Sequence, residues 1–366
     1  MKIARVTPFL IAPQRSADGW SEGQIVILVK LETTCGLIGW GEAYALDKRQ
    51  RAQAHMIEAL GAALIELDDA TPRRFLHLIG ASMSDKHPSI DYAAAVSAIE
   101  IGLWDLLGKS LGQPVHALLG GGIRDHIPLY ANAWDAPLQA ADAVAVRCGQ
   151  MRAEGYAAVK IYPLRRATLA EAEDCVRLTR EAIGPEADLM LDFAIAKDPA
   201  LALRAAQIFE AYDPYWIEEP VAGDYLEHMA EIRAKTSTRI VTGERQSGLA
   251  HYRNVLTARA ADVLNPDIAG AGGILEMLSI GALAEAHGVA ISPHSWNSTT
   301  VAYMAMLHVC AVMPNATYAE LYYDYLELGH RYARCDSQII NGYATLPQSP
   351  GLGVEIDESA LAALLV

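Results

Sequence analysis

The stretch Ala187-Asp188-Leu189-Met190-Leu191-Asp192 is a short apolar run ending in an acid, and after a helical window Tyr215-Trp216-Ile217-Glu218 repeats it. Short apolar runs alternating with amphipathic windows are the signature of βα units feeding a parallel sheet. Working outward gives eight candidate strands: Pro128–Asn132, Ala157–Tyr162, Ala187–Asp192, Tyr215–Glu218, Arg239–Gly243, Asp262–Asn265, Val289–Ser292 and Thr317–Glu320. Eight units are what a (β/α)8-type barrel requires. The window between Gly273 and Gly288 supports it: Leu275, Leu278, Ala282 and Ala286 recur at helical steps, and Gly288 supplies the stop. Upstream, Gln24–Glu32 and Leu37–Tyr44 read as antiparallel strands around a Thr34-Cys35-Gly36 turn, and Gln50–Leu67 and Asp91–Leu111 read as helices. The first 125 residues thus form an α+β module. A Gly- and Pro-rich tail after Asp336 is expected to return over it.

Composition narrows the function classes. The chain has 366 residues, 52% of them hydrophobic and 20% charged, which suits a large buried core. Its formal net charge is −15, and no Lys/Arg-rich run interrupts it, so nucleic acid and anionic membranes are excluded as expected partners. Val301–Met313 is too short to span a bilayer, and Met1–Gln14 lacks the h-region of a signal peptide. Five scattered cysteines suggest neither a disulfide framework nor a thiolate metal site, and point to the cytoplasm. A homo-oligomer is expected.

The chemistry lies at the strand ends. Lys160, Asp192, Glu218, Glu244, Asp267, His294 and Glu320 follow successive strands at intervals of 23 to 32 residues. Strand C-termini of such barrels converge on one mouth, where the active site lies. Any one of these acids is as readily a helix cap, and a lone histidine is more often structural. Seven charged groups at one phase are costly to bury unless they pair with each other or with a cation. Asp192, Glu218 and Glu244 offer only oxygen ligands on three adjacent strands, which suits Mg²⁺ and disfavours zinc. A carboxylate at Asp267 would fix the tautomer of His294 for acid or base work. Glu320, if protonated, would hydrogen-bond an enolate oxygen. A metal on one flank and a base on the other are the minimal apparatus for removing a proton α to a carboxylate.

The chain also carries Gly39-Trp40-Gly41-Glu42, Leu103-Trp104-Asp105 with Gly108-Lys109, Gly112-Gln113-Pro114-Val115, Leu118-Leu119-Gly120-Gly121, Trp216-Ile217-Glu218-Glu219-Pro220, Gly243-Glu244, Pro266-Asp267 and Pro350-Gly351-Leu352-Gly353. With these motifs it resembles the enolase superfamily, in particular its mandelate racemase and muconate lactonising group. The resemblance implies an α+β capping domain (residues 1–125, completed by 340–366) over a modified (β/α)7β barrel (126–339), one Mg²⁺ and an enediolate intermediate. It also implies Asp192, Glu218 and Glu244 as metal ligands, Asp267 and His294 as a dyad, and Glu320 as the enolate partner.

Two positions depart from the family pattern. Lys160-Ile161-Tyr162 stands where racemase-type members carry Lys-X-Lys, and Ala194 stands where relatives often place asparagine. Tyr162 has three readings: a base, if Lys160 and the metal depress its phenol; a proton donor; or a substrate contact. An ordinary tyrosine, with pKa ~10, is largely protonated at neutral pH. Racemisation needs proton exchange on both faces of the α-carbon, whereas His294 alone can serve a dehydration, first as base and then as acid. Dehydration of a sugar acid to a 2-keto-3-deoxy acid is therefore expected, with a racemase or epimerase and a lactone cycloisomerase as alternatives. A Schiff-base aldolase using Lys160 and a non-catalytic sugar-acid binder are the readings from other classes. Arg15, Trp20 and Tyr44 are expected to contact the substrate carboxylate or hydroxyls, with a solvated surface role equally open for Arg15. Gly270-Ala271-Gly272-Gly273 lacks a full phosphate-binding pattern and reads as a tight turn.

Overall fold

The N-terminal β-prone runs form a three-stranded antiparallel meander of β1 (Ile3–Ile11), β2 (Val26–Thr33) and β3 (Ile38–Ala43). Helices α1 (Gln50–Ile65), α2 (Pro72–Gly80) and α3 (Ile90–Leu111) follow. The computed structural model describes residues 1–12, 25–82, 85–87, 89–134, 138–194 and 198–366. Helix α3 starts where the Ser89 hydroxyl accepts from Tyr92 N and stops at Gly112, whose φ of 65° only glycine adopts cheaply. It lies directly on β3, and a Cβ at Gly41 would sit 1.7 Å from the Ala98 carbonyl oxygen. That close approach explains the Gly-Trp-Gly-Glu motif.

Eight parallel strands then build the barrel: β4 (His126–Asn132), β5 (Ala158–Ile161), β6 (Asp188–Asp192), β7 (Trp216–Glu218), β8 (Arg239–Thr242), β9 (Val263–Leu264), β10 (Ala290–Ile291) and β11 (Ala319–Leu321). They pair in sequence from β4 to β10. Strand β11 pairs with β4, and an Ile291–Ala316 bridge closes the circle. A helix follows each of the first seven strands, and the eight-residue helix Tyr323–His330 follows the last. Tyr130, Met190, Trp216, Val241 and Val263 fill the barrel interior, with Tyr130 edge-on to Trp216. This apolar layer gives the polar groups at the strand ends a dry floor. No helix among the described residues is long and apolar enough to cross a membrane.

The tail divides its contacts. Tyr343–Thr345 pairs antiparallel with β4 and so extends the barrel sheet. Leu352 N donates to Asp105 on α3, and Leu365 bridges to Ile11 on β1. Only its last part reaches the N-terminal module.

Two buried carboxylates clamp that module to the barrel. Glu42, at the end of β3, accepts from Thr299 N (2.6 Å), Thr299 Oγ1 (2.9 Å) and Ala302 N (2.9 Å) at the start of the helix Thr300–Val312. Glu100 on α3 accepts from Ile274 N and Leu275 N at the start of the helix Ile274–Ala286. Both use the unpaired N–H groups and positive end of a helix. The Gly270–Gly273 run is a turn that lets Gly272 N reach Ser97 Oγ at 2.8 Å. Glu42→Ala would orphan these donors, at an expected cost of about 1–3 kcal/mol in unfolding experiments.

Burial raises the Glu42 carboxyl to about 7, against the pull of its Thr299 and Ala302 donors. Its ordinary value is 4.5, so folding takes up a proton between pH 4.5 and 7. The stability this group contributes is fully present below that window and is lost as pH rises through it, by up to about 3 kcal/mol. Glu42→Gln does not titrate and is expected to flatten that part of the stability–pH curve. Equal slopes in the two proteins would contradict the assignment.

Candidate active site

Register sets the site. Asn132 pairs with Lys160, Asp192 with Glu218, and Asp267 with His294 across neighbouring strands. Asp192 and His294 open directly into a cavity of about 270 Å³, lined also by Tyr44 and Leu46 from the capping module and by Trp134, Tyr162, Ala194, Glu244, Arg245, Trp296 and Tyr322.

The acids of β6, β7 and the β8 end converge: one ligand atom each of Asp192, Glu218 and Glu244 lies within 4.8 Å of the others, and all three residues are buried. Asp192 Oδ1 accepts from Ala194 N, Glu218 Oε1 accepts from Lys160 and Asn265, and Glu244 Oε1 accepts from Arg245 Nε. Glu218 Oε2 is buried with no partner. Burial, together with like charges nearby, pushes Asp192 up to about 6 and Glu218 well above the carboxylate range. An orphaned carboxylate oxygen among three crowded acids is what a divalent cation would satisfy, so the donor set fits a hard metal ion.

His294 Nδ1 lies 2.8 Å from Asp267 Oδ2, whose other oxygen accepts from Ala269 N. The opposite ring nitrogen, Nε2, is 3.2 Å from Glu244 Oε2 and 3.7 Å from Glu320 Oε2. Tyr44 packs edge-on against the imidazole and against Trp296. Burial alone would lower the imidazole pKa, but Glu244, Glu320 and Asp267 outweigh it and push it up to about 10. While those carboxylates are uncompensated the ring holds its proton; a cation on Glu244 would offset the largest of the raising contributions and free Nε2 to act as a base, with Nδ1 held by Asp267.

Lys160 and Glu320 form an ion pair that the strand spacing alone does not reveal. Lys160 is fully buried, with Nζ 2.8 Å from Glu218 Oε1, 2.7 Å from Glu320 Oε1 and 3.6 Å from Asp192. It is the ionic hub beneath the cavity and is not among the lining residues. Glu320 accepts from Lys160, from Asn132 Nδ2 and from Ser295 N. Burial would raise its carboxyl, yet Lys160 and His294 hold it at about 2. With an ammonium and two N–H donors around it, Glu320 accepts in all three contacts, an arrangement that favours its anion over the protonated donor that the sequence reading allows for.

Tyr162 lines the cavity, its hydroxyl 2.7 Å from Asn132 Nδ2 and 2.6 Å from Tyr322 Oη. Ala194, in the place noted above for asparagine, has φ 49°, a left-handed conformation that alanine tolerates poorly. Glu219 is tied to Thr242 Oγ1 and Gly243 N, away from the acid cluster. Tyr44 is in the cavity wall; Arg15 and Trp20 lie outside the described residues. The sequence reading passed over Asn132, Arg245, Trp134, Trp296 and Tyr322. Asn132 had a signal: it ends the first barrel strand at the same phase as the seven charged residues.

Known proteins give a consistent picture. Residues 1–120 match the mandelate racemase/muconate lactonizing enzyme N-terminal domain, and residues 143–360 match the enolase C-terminal domain-like family. A D-galactonate dehydratase of Verminephrobacter eiseniae is 31% identical over 98% of this chain and 93% of its own length. A D-galactarolactone cycloisomerase of Agrobacterium fabrum is 30% identical over 99% and 98%. A crystal structure described as an enolase from environmental sequencing of the Sargasso Sea superposes with a TM-score of 0.95 at 34% identity, covering 100% of this chain and 97% of that one. The chain belongs to the mandelate racemase/muconate lactonizing enzyme group of the enolase superfamily.

Proposed function

We propose that this enzyme, of the lyase or isomerase kind, removes the proton α to the carboxylate of a sugar acid and expels the β-oxygen, forming a 2-keto-3-deoxy acid. The observation that carries this reading is the placement of His294 Nε2 beside the acid cluster, with Nδ1 fixed by Asp267 at 2.8 Å. His294 takes the α-proton, and Asp267 holds the ring and stabilises the imidazolium that results. Asp192, Glu218 and Glu244 would hold Mg²⁺, and Lys160 and Glu320 keep the floor of the cluster charge-balanced. Mg²⁺, when bound, supplies positive charge that offsets the charge developing on the substrate carboxylate in the enediolate. The relatives named as a galactonate dehydratase and a galactarolactone cycloisomerase support the substrate class.

The other readings fare unequally. Cycloisomerisation uses the same bond-breaking step with the leaving oxygen inside a ring, and the flat faces of Tyr44, Trp134 and Trp296 favour a ring in the cavity. Racemisation needs a second base, and Lys160 does not line the cavity. The same burial argues against a Schiff base on Lys160. A binder without catalysis would not need a basic imidazole aimed at the acids. We further assign the enzyme to the reducing cytoplasm and to a homo-oligomer, which light scattering on the purified chain would check.

Incubation with Mg²⁺ and a panel of aldonates, aldarates and their lactones is expected to give 2-keto-3-deoxy product with at least one of them. Absence of both product and α-proton exchange across the panel would sink the reading. Saturating Mg²⁺ is also expected to stabilise the protein by about 3 kcal/mol at 100-fold over its dissociation constant, read as a rise in Tm. Asp192→Asn is expected to lose that rise; a rise that survives the substitution would place the ion elsewhere.

A further inference from the structure

The hydroxyl of Tyr162 sits in a hydrogen-bond chain whose direction is fixed by chemistry. Asn132 is buried, and its Nδ2 spans Glu320 Oε1 at 2.8 Å and Tyr162 Oη at 2.7 Å. Turning the amide over would aim Oδ1 at an anionic carboxylate, so the nitrogen must face Glu320. Both amide hydrogens are then committed, one to Glu320 and the other to Tyr162. The Tyr162 oxygen is consequently an acceptor from Asn132, and its own proton is left for Tyr322 or for the cavity.

The ring's position complements this polarity. Tyr162 follows β5 and His294 follows β10, while the acid-bearing strands β6, β7 and β8 lie between them in the sheet. The two groups therefore stand on opposite flanks of the acid cluster, and both line the cavity. Trp134 packs edge-on to the phenol at 4.6 Å and Lys160 Nζ lies 5.8 Å from its centroid.

Resting on the elimination reading above, we infer that Tyr162 is the catalytic acid for the departing β-oxygen and that Asn132 is its positioning residue. His294 Nε2 takes the α-proton, and the electron pair of that C–H bond moves onto the carboxylate as the enediolate; the pair then returns to form the C2–C3 double bond as the C3–O bond breaks. The C3–O pair stays on the oxygen, which takes the Tyr162 proton and leaves as water, or as a hydroxyl still attached if it belonged to a ring. The phenolate left behind is held by the Asn132 N–H, by the Tyr322 hydroxyl and by the field of Lys160. The enol then ketonises: C3 takes the proton from His294, and the enol O–H proton returns to Tyr162 through Tyr322 or solvent. The net change is loss of one water for an open-chain acid and isomerisation for a cyclic one, and both groups end as they began. Burial keeps the phenol pKa well above 10, so the resting group carries its proton.

The test separates proton abstraction from departure of the oxygen. With Mg²⁺ present, Tyr162→Phe, which keeps the ring against Trp134, is expected to lower product formation about 10²-fold or more. It should still wash deuterium from D₂O into C2 of unreacted substrate, and still eliminate fluoride from a 3-fluoro analogue at near wild-type rate, because fluoride leaves without an acid. Asn132→Ser is expected to show the same split in milder form, and serves if the phenylalanine variant fails to fold. Product formation at the wild-type rate in Tyr162→Phe, or equal losses of exchange, fluoride release and dehydration, would overturn the inference. A wild-type enzyme that neither exchanges nor eliminates would instead refute the elimination reading itself.

Discussion

His294→Asn is expected to reduce α-proton exchange and product formation by roughly 10³-fold or more, the largest effect of any single substitution in the cavity. Asparagine is close in size to the proximal half of the imidazole and can still donate to Asp267, so the fold should persist while the base is gone. Nothing among the described lining residues replaces it: Tyr162 carries its proton, Arg245 is a cation, and Glu244 belongs to the acid cluster. Both losses should be equal, because no product forms without abstraction. Exchange surviving at more than about a tenth of the wild-type rate would mean that another group takes the proton.

Lys160→Met is expected to cost on the order of 3–5 kcal/mol of stability, the largest structural effect in the molecule. The methionine matches the lysine stem in length and apolar character but leaves Glu218 and Glu320, both fully buried, without the cation that faces them. Thermal unfolding would read this as a fall in Tm on the order of 4–6 °C. Adding Glu320→Gln to that variant removes one orphaned charge and should recover part of the loss, since the two sites share a partner. Unchanged Tm in Lys160→Met would mean that the ammonium does not balance the cluster. Borohydride is expected to trap no imine on Lys160 in either protein.

The barrel was legible because its strands are short apolar runs with one polar residue at each C-terminal end, a pattern that survives without knowledge of what pairs with what. The acid cluster and the Asp267–His294 pair followed from the same phase, since neighbours in register meet at the mouth. What could not be read was set by contacts across the barrel. Glu320 looks like any acid in a chain of charge −15; only the approach of Lys160 at 2.7 Å shows what favours its anion. Lys160 in turn shows at a strand end like its neighbours, and only the fold reveals that it is fully buried. Asn132 was overlooked because an uncharged side chain ends its strand, although its place in the register is that of its neighbours. The tail's sequence offers one short β-prone piece within Gly342–Asp357 but no partner for it, and Tyr343–Thr345 pairs with the first barrel strand. Buried carboxylates at helix starts, such as Glu42 and Glu100, depend on docking between modules distant in sequence and leave no local mark.

The account turns on a divalent cation and a basic imidazole sharing one cavity. Anomalous diffraction from crystals grown with Mn²⁺ and a non-reactive carboxylate analogue would test it most directly. The predicted result is a single peak bounded by the carboxylates of Asp192, Glu218 and Glu244, with the α-carbon of the analogue in van der Waals reach of His294 Nε2. An empty acid cluster at saturating Mn²⁺, or an analogue whose α-carbon lies beyond the reach of that nitrogen, would contradict it.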